Sequence, residues 1–210
     1  NKVYNIQNKS IQLSLLLSLP ASLALILASE EIINGLFGYG SFSPNDVLIT
    51  SIALKFFGFG IVAFSLIKIL ANFFFARDNT KEPFYISSFI VFLNVLISLS
   101  FFDKIGFIII PIATSISSWI GVVIYIYLLA RRKYFLLQQK MFHNCIKIMI
   151  SSLIMSSTLI FALDKYASYL NYQYIYKSIY LITIVGFVGT IYLLSCYLFG
   201  LLKIKNYRTN

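Results

Sequence analysis

The chain has 210 residues, of which 59% are hydrophobic and only 11% are charged. A soluble domain carries roughly 25% charged residues, so this composition excludes an ordinary soluble globular protein and indicates a membrane protein. The net charge of +10 does not indicate a nucleic-acid-binding protein, because the basic residues lie in short stretches between apolar segments. Cys145, Cys196 and His143 lack the spacing of a metal or redox site, so neither a metal nor a cofactor is expected.

Six apolar segments are long enough to cross about 30 Å of hydrocarbon as helices. Helices are predicted because every backbone polar group must be satisfied within the bilayer. The sequence therefore predicts an all-α integral membrane protein, a six-helix transmembrane bundle. No signal peptide is expected, since the first residues are polar and no cleavage site follows the first apolar run. The predicted spans are 11–29, 45–76, 83–102, 106–130, 143–163 and 176–202.

The first two spans are separated by residues 31–42, an apolar stretch that three glycines interrupt. It is too short to span the bilayer and is expected to lie along the interface. Ser43 is predicted to cap the second span, with Pro44 at its first helical position and Asp46 in its first turn. These residue types are typical of a helix N-terminus.

The second span carries two lysines within its apolar sequence. Residues 46–76 would form a helix of about 46 Å at 1.5 Å per residue, longer than the hydrocarbon core. Lys55 and Lys68 could each snorkel to the interface, or face a watery cavity. Ser65, Lys68 and Asn72 recur at spacings of three and four and so share one helical face, which favours a cavity for Lys68. We therefore take Lys68, Asn72 and Ser65, with Lys55 about 140° away, as candidates for a substrate cavity.

A short charged turn connects the second span to the third, which restarts at a proline. It is predicted to be a cytoplasmic turn motif, and its members are Arg77, Asp78, Thr80 and Pro83.

The charges are distributed unequally between the two sides of the predicted bundle. Twelve basic residues fall on one side: Lys2, Lys9, Arg77, Lys81, Arg131, Arg132, Lys133, Lys140, Lys147, Lys203, Lys205 and Arg208. The other side has three lysines and five acidic residues: Lys104, Lys165, Lys177, Glu30, Glu31, Asp46, Asp103 and Asp164. The positive-inside rule therefore predicts that both termini are cytoplasmic.

Tyrosines crowd the last external loop, at positions 166, 169, 172, 174 and 176. An aromatic belt at the headgroup level is the expected role, and ligand binding is the alternative. The seven acidic residues are scattered over loops, with no paired carboxylates in a span and no Ser/His/Asp set. An enzyme is therefore not expected.

Three segments resemble the MurJ (MviN) family, the lipid II flippases of the MOP exporter superfamily. They are LSLPASLALILASEEIINGLFGYGSFSPND, LIKILANFFFARDNTKEP and GFIIIPIATSISSW. The second is similar to a family pattern of the form VKVLAPxFYARxDTxTP through Lys68, Leu70, Phe74, Ala76, Arg77, Thr80 and Pro83. The third is similar to a GLALATSLAAW-like segment through Gly106, Ala113, Thr114, Ser115 and Trp119. The resemblance covers residues 10–130, while residues 140–210 match only in hydropathy and position.

The resemblance implies a particular architecture. The family has fourteen spans, and the six spans here resemble the ninth to the fourteenth, half of a two-lobed MOP/MATE-like transporter. Residues 1–130 would form the second half of the C-terminal lobe and 131–142 a basic cytoplasmic loop. Residues 143–210 would form two additional helices, with a groove for a lipid tail, and a basic tail. The chain would thus be a C-terminal fragment that lacks the cavity arginines.

The resemblance also implies a function. The family moves a lipid-linked peptidoglycan precursor, a disaccharide-peptide on undecaprenyl diphosphate, across the bacterial cytoplasmic (inner) membrane by alternating access. The implied partners are this precursor, membrane lipids and the missing N-terminal spans of the same protein, with no nucleic acid. The alternatives are another MOP-superfamily polysaccharide or drug exporter and a non-transporting membrane scaffold subunit. The scaffold would be favoured if Lys55 and Lys68 both faced lipid.

Overall fold

The computed structural model describes residues 2–202, with side chains from Val3 onward, and within this range the regular structure is entirely helical. The predicted basic tail, with Lys203, Lys205 and Arg208, lies outside the described residues. The α-helices are α1 (Lys2–Leu27), α2 (Ser29–Phe37), α3 (Pro44–Phe75), α4 (Lys81–Ile105), α5 (Ile109–Arg131), α6 (Gln139–Lys165) and α7 (Lys177–Leu198).

Five helical segments of the described chain are long and apolar enough to cross a membrane. One of them, residues 81–131, comprises α4, a single 3-10 turn and α5. Gly106, with a φ of +73°, breaks this segment. Such a φ is accessible to glycine at little cost, so the two helices fold back into an antiparallel hairpin. The prediction of an all-α integral membrane protein is confirmed, and the protein is a multi-pass membrane protein.

Some helix boundaries differ from the predicted spans: polar residues extend the starts of α1 and α6, and a glycine shortens α7. α1 begins at Lys2 rather than at residue 11, and its first turns carry Asn8, whose side chain contacts the loop before α6. α6 begins at Gln139 rather than at residue 143. α7 ends at Leu198 rather than at 202, because Gly200 follows it in a left-handed conformation.

The predicted start of α3 is confirmed. Ser43 and Asp46 form a reciprocal capping box, and Pro44 occupies the first turn. The Asp46 amide donates to Ser43 Oγ at 3.3 Å, and the Ser43 amide donates to Asp46 Oδ2 at 2.9 Å. The box satisfies two amides at the helix start. It therefore fixes where α3 enters the bundle.

The helices pack around two apolar cores that share α1. The first core lies between α1, α3 and α5 and includes the fully buried Phe74, Tyr125 and Leu129. The second lies between α1, α6 and α7 and includes Leu159 and Cys196. α4 packs mainly on α5 and is peripheral, since only Pro83 and Ile86 of this helix are buried.

Each end of the bundle brings distant loops together. We call the ends of α3, α5 and α7, with the starts of α1, α4 and α6, the Arg77 end. There, Asn8 Nδ2 donates to the Leu136 carbonyl at 2.8 Å, and Arg132 pairs with Glu82. The opposite end, which contains α2 and the loop before α7, is the Lys177 end. The predicted site residues therefore lie at different positions along the bundle axis between these two ends.

Candidate functional site

An open groove of about 540 Å³ lies between α3, α4 and α5, toward the Arg77 end. We call it the Lys68 groove. Its walls are largely aliphatic and aromatic, and no acidic residue lines it. Its polar lining residues are Lys68, Asn72, Thr80, Ser87 and Tyr125.

The polar groups of the Lys68 groove suit an anionic or sugar-bearing ligand. Lys68 and Asn72 are exposed, so the ammonium and the carboxamide are available to a ligand. Tyr125 is fully buried, and its hydroxyl donates to the Pro83 carbonyl over a long 3.5 Å. An ammonium donates charge-assisted hydrogen bonds to phosphate oxygens, and the amide and hydroxyls can bind neutral polar groups.

The structure brings Lys68 and Asn72 together but separates Ser65 from them. Ser65 Oγ lies 2.7 Å from Ser14 Oγ, a hydrogen bond that joins α3 to α1. Ser65 precedes Asn72 by two helical turns, about 10 Å along the axis. At that height α1 covers this face of α3, so Ser65 packs between helices rather than facing the groove.

Lys55 also lies outside the Lys68 groove. It is exposed on α3, about 20 Å from Lys68 along the helix axis. Both lysines are exposed, and Lys68 lines the Lys68 groove together with other polar groups, whereas Lys55 is not part of its lining.

The predicted turn motif divides between two locations. Thr80 and Pro83 line the Lys68 groove, whereas Asp78 is exposed, with a φ of +55°. Arg77 faces away from the groove, toward the loop between α5 and α6. Its Nη2 donates to the Tyr134 carbonyl at 2.8 Å, and its guanidinium lies 4.4 Å from the centre of the Tyr134 ring. Arg77 therefore holds a loop in place.

Lys177 is predicted from the sequence only as one of three lysines on the outer side of the bundle. In the structure Lys177 is 1% exposed, and its ammonium has three oxygen acceptors. No local pattern in the sequence singles it out, because Asn34 and Gly38 lie more than 130 residues away in the chain.

A second cavity, of about 400 Å³, lies at the Lys177 end. Its polar lining residues include Glu30, Glu31, Asn34 and Asn171. Burial raises the pKa of the Glu31 carboxyl above its usual value. Within residues 2–202 no three His, Cys, Asp or Glu side chains are grouped as a metal site would need.

Tyrosines of the last loop form an aromatic cluster with Tyr180 of α7, whereas Tyr172 of the same loop makes a separate contact. The Tyr169 and Tyr180 rings stack at 4.7 Å, and Tyr174 meets both of them edge-on. Tyr172 instead donates its hydroxyl to the Phe42 carbonyl at 2.6 Å. Whether the cluster lies at the headgroup level stays a prediction.

Comparison with known proteins identifies the family. The family model described as "Lipid II flippase MurJ" matches residues 1–181. The "Probable lipid II flippase MurJ" of Rickettsia prowazekii (strain Madrid E) is 36% identical over 208 residues, which cover 96% of this chain and 39% of that protein. The protein of the same description from Buchnera aphidicola subsp. Schizaphis graminum (strain Sg) is 32% identical, over 95% of this chain and 39% of its own length.

A solved structure shares the fold. "Lipid II flippase MurJ, inward closed conformation" has a TM-score of 0.74 and 27% identity, and the match covers 94% of this chain and 39% of that one. The chain thus spans about two fifths of the length of these relatives. The predicted fold class, half of a MOP-like transporter, is confirmed by this match. Because the family model matches most of the chain, the chain belongs to the lipid II flippase MurJ family.

Proposed function

We propose that the chain is the C-terminal part of a lipid II flippase, which moves the lipid-linked peptidoglycan precursor across the bacterial cytoplasmic membrane by alternating access. The observation that carries this proposal is the family match over residues 1–181, together with the shared fold over 94% of the chain. The missing N-terminal spans of the same protein would supply the other lobe. The activity is transport, with no chemical step and no nucleic acid or cofactor as partner.

The Lys68 groove is the part of this chain that we assign to the substrate headgroup. Its one basic lining residue, Lys68, would attract the diphosphate, and Asn72 would donate to a phosphate or sugar oxygen. The absence of acidic residues from the groove lining favours an anionic ligand. An apolar groove that presents a lysine together with other polar groups supports a transport role over a scaffold role.

The distribution of basic residues supports one orientation of the protein in the membrane. Arg77, Lys81, Arg131, Lys133 and Lys140 cluster at the Arg77 end, which we therefore place in the cytoplasm. Both ends of this segment would then be cytoplasmic. We assign residues 1–130 to the C-terminal lobe and 131–142 to a cytoplasmic loop. The two helices within 143–210 would form a groove for the undecaprenyl tail, with other membrane lipids around it.

The test compares Lys68→Ala with Lys55→Ala in the full-length protein. Cells depleted of their own flippase would express each variant, and growth and lipid II translocation would be measured at matched membrane levels. We expect Lys68→Ala to reduce translocation more than Lys55→Ala, because only Lys68 lines the groove. Lys68→Arg, which keeps the positive charge, is expected to retain part of the activity. Equal and negligible effects of the two alanine variants would contradict the assignment of the groove.

A further inference from the structure

Lys177 is a buried cation at the first position of α7, remote from the Lys68 groove. Its Nζ donates to Asn34 Oδ1 at 3.1 Å, to the Gly38 carbonyl at 2.5 Å and to the Tyr172 carbonyl at 2.7 Å. These acceptors belong to α2, to the loop after α2 and to the loop before α7. One ammonium therefore bonds to two regions that are distant in the chain: α2 with the loop after it, and the loop before α7.

Two aromatic rings complete the surroundings of this ammonium. Nζ lies 4.3 Å from the centre of the Tyr39 ring and 4.5 Å from that of the Tyr172 ring, within cation–π range. Within residues 2–202 every partner of Lys177 is neutral. An ammonium has three N–H donors and all three are used, so none is left for an external ligand. We call the three acceptors and two rings the Lys177 cage.

Other hydrogen bonds join α2 to the loop before α7 and to the first turn of α7. Asn34 Nδ2 donates to the Leu170 carbonyl at 2.7 Å, which orients the carboxamide so that its oxygen faces Lys177. Ser178 Oγ donates to the Gly35 carbonyl at 2.6 Å. These bonds position the acceptors of the cage. The ammonium, in turn, donates at the same time to acceptors in α2, in the loop after it and in the loop before α7.

Gly38 is required by the close approach of its neighbours. A Cβ at this position would lie 2.3 Å from Asn34 Oδ1 and 2.5 Å from the Asn34 carbonyl oxygen. The same Asn34 Oδ1 accepts a hydrogen bond from Lys177. Because residue 38 is glycine, its carbonyl and the carboxamide of Asn34 can both accept hydrogen bonds from the same ammonium.

We propose that Lys177 is an internal cationic ligand, whose ammonium fills the Lys177 cage and locks the loop after α2 to the loop before α7. A buried charge is costly unless it is well hydrogen-bonded, and a cage built from two loops is complete only while both stay in place. The α6–α7 pair is thereby held to α2 and α3 at the Lys177 end. This lock is independent of what the protein transports.

The lock can be tested by measuring the distance between the two loops in the full-length protein. Ser41 and Ser168 are exposed in the two loops and would carry spin labels as cysteines, in a background without other cysteines. Lys177→Met keeps the apolar stem and removes the ammonium. Lys165→Met is the matched control, because it removes an exposed positive charge from the same end of the bundle. Double electron–electron resonance in nanodiscs would report the distance distribution.

Chemical rescue makes the test specific for the cation. Lys177→Ala deletes the atoms that correspond to propylammonium, so the cage gains room for that ion. Added propylammonium should restore the narrow distance distribution between the two labels, and the effect should saturate with concentration. Propanol, which has the same three-carbon chain but no charge, should not restore it. If Lys177→Ala does not accumulate in the membrane, the distance distribution of Lys177→Met alone tests whether the ammonium holds the two loops together.

We expect the parent protein and Lys165→Met to show one narrow distance peak, and Lys177→Met to lose it. An unchanged narrow peak in Lys177→Met would overturn the proposal. So would a broad peak in Lys177→Ala that propanol narrows as well as propylammonium does, because that result would assign the effect to packing volume rather than to charge.

Discussion

The hydrogen bonds of Arg77 predict a stability defect that is separate from transport. Nη1 donates to the Phe73 carbonyl and Nη2 to the Tyr134 carbonyl, each at 2.8 Å, and the guanidinium stacks on the Tyr134 ring. These contacts tie the C-terminal end of α3 to the loop between α5 and α6. Arg77 is half-buried, so solvent only partly screens these contacts.

The size of the effect follows from these contacts. A hydrogen bond to a charged group contributes about 1.5–3 kcal/mol, and an exposed cation–π contact about 0.5–1 kcal/mol. The Phe73 carbonyl belongs to the same helix as Arg77 and can bond to water after truncation, so the contacts to Tyr134 dominate. We therefore expect Arg77→Ala to lower the free energy of unfolding by about 2–3 kcal/mol. Arg77→Lys should retain less than half of the free energy of unfolding that Arg77→Ala loses, because an ammonium lacks the planar fork that reaches both carbonyls.

The assay is reversible unfolding of the full-length protein in mixed micelles, followed by tryptophan fluorescence. Arg131→Ala is the matched control, because Arg131 is an exposed arginine at the same end of the bundle. Tyr134→Phe, which keeps both the ring and the main-chain carbonyl, should leave stability unchanged. Free energies of unfolding for Arg77→Ala and Arg131→Ala that agree within about 0.5 kcal/mol, the usual range for surface substitutions, would contradict this role of Arg77.

Two further substitutions test local features of the Lys177 end. Ser43→Ala removes the side chain that accepts from the Asp46 amide, and should lower the free energy of unfolding by about 1 kcal/mol in the same assay. Gly38→Ala places a Cβ 2.3 Å from Asn34 Oδ1, and should lower the unfolding midpoint and speed amide hydrogen exchange in the loop after α2.

Each of these substitutions has a control within the chain. Ser41→Ala changes an exposed serine of the same loop and should leave stability unchanged. Gly186→Ala adds a Cβ that meets no atom within 4 Å, so it should be neutral or slightly stabilising because alanine favours helix. A Gly38→Ala variant as stable as Gly186→Ala would show that Asn34 can move aside freely.

Features encoded by neighbouring residues were predictable from the sequence. The capping box of α3 follows from Ser43, Pro44 and Asp46, which are adjacent in the chain and need no tertiary contact. The break at Gly106 similarly depends on the local backbone, although the fourth span is predicted to begin at 106 and α5 begins at Ile109. The spans themselves follow from hydropathy, since the bilayer imposes helices on long apolar runs.

Features that depend on distant partners could not be predicted. Periodicity placed Ser65, Lys68 and Asn72 on one face, but it could not show that α1 covers this face at Ser65 and leaves Asn72 open. The burial of Lys177 depends on Asn34 and Gly38, which are more than 130 residues away in the chain. No local pattern in the sequence reports a contact of that range.

Photo-crosslinking can show whether the lipid II headgroup reaches the Lys68 groove. A photo-crosslinking amino acid at position 72 of the full-length protein, and the same amino acid at position 55 as the control, would be irradiated in membranes that contain radiolabelled lipid II. We expect labelling from position 72 and none above background from position 55. Equal labelling at the two positions, or none at position 72 in a variant that still supports growth, would contradict it.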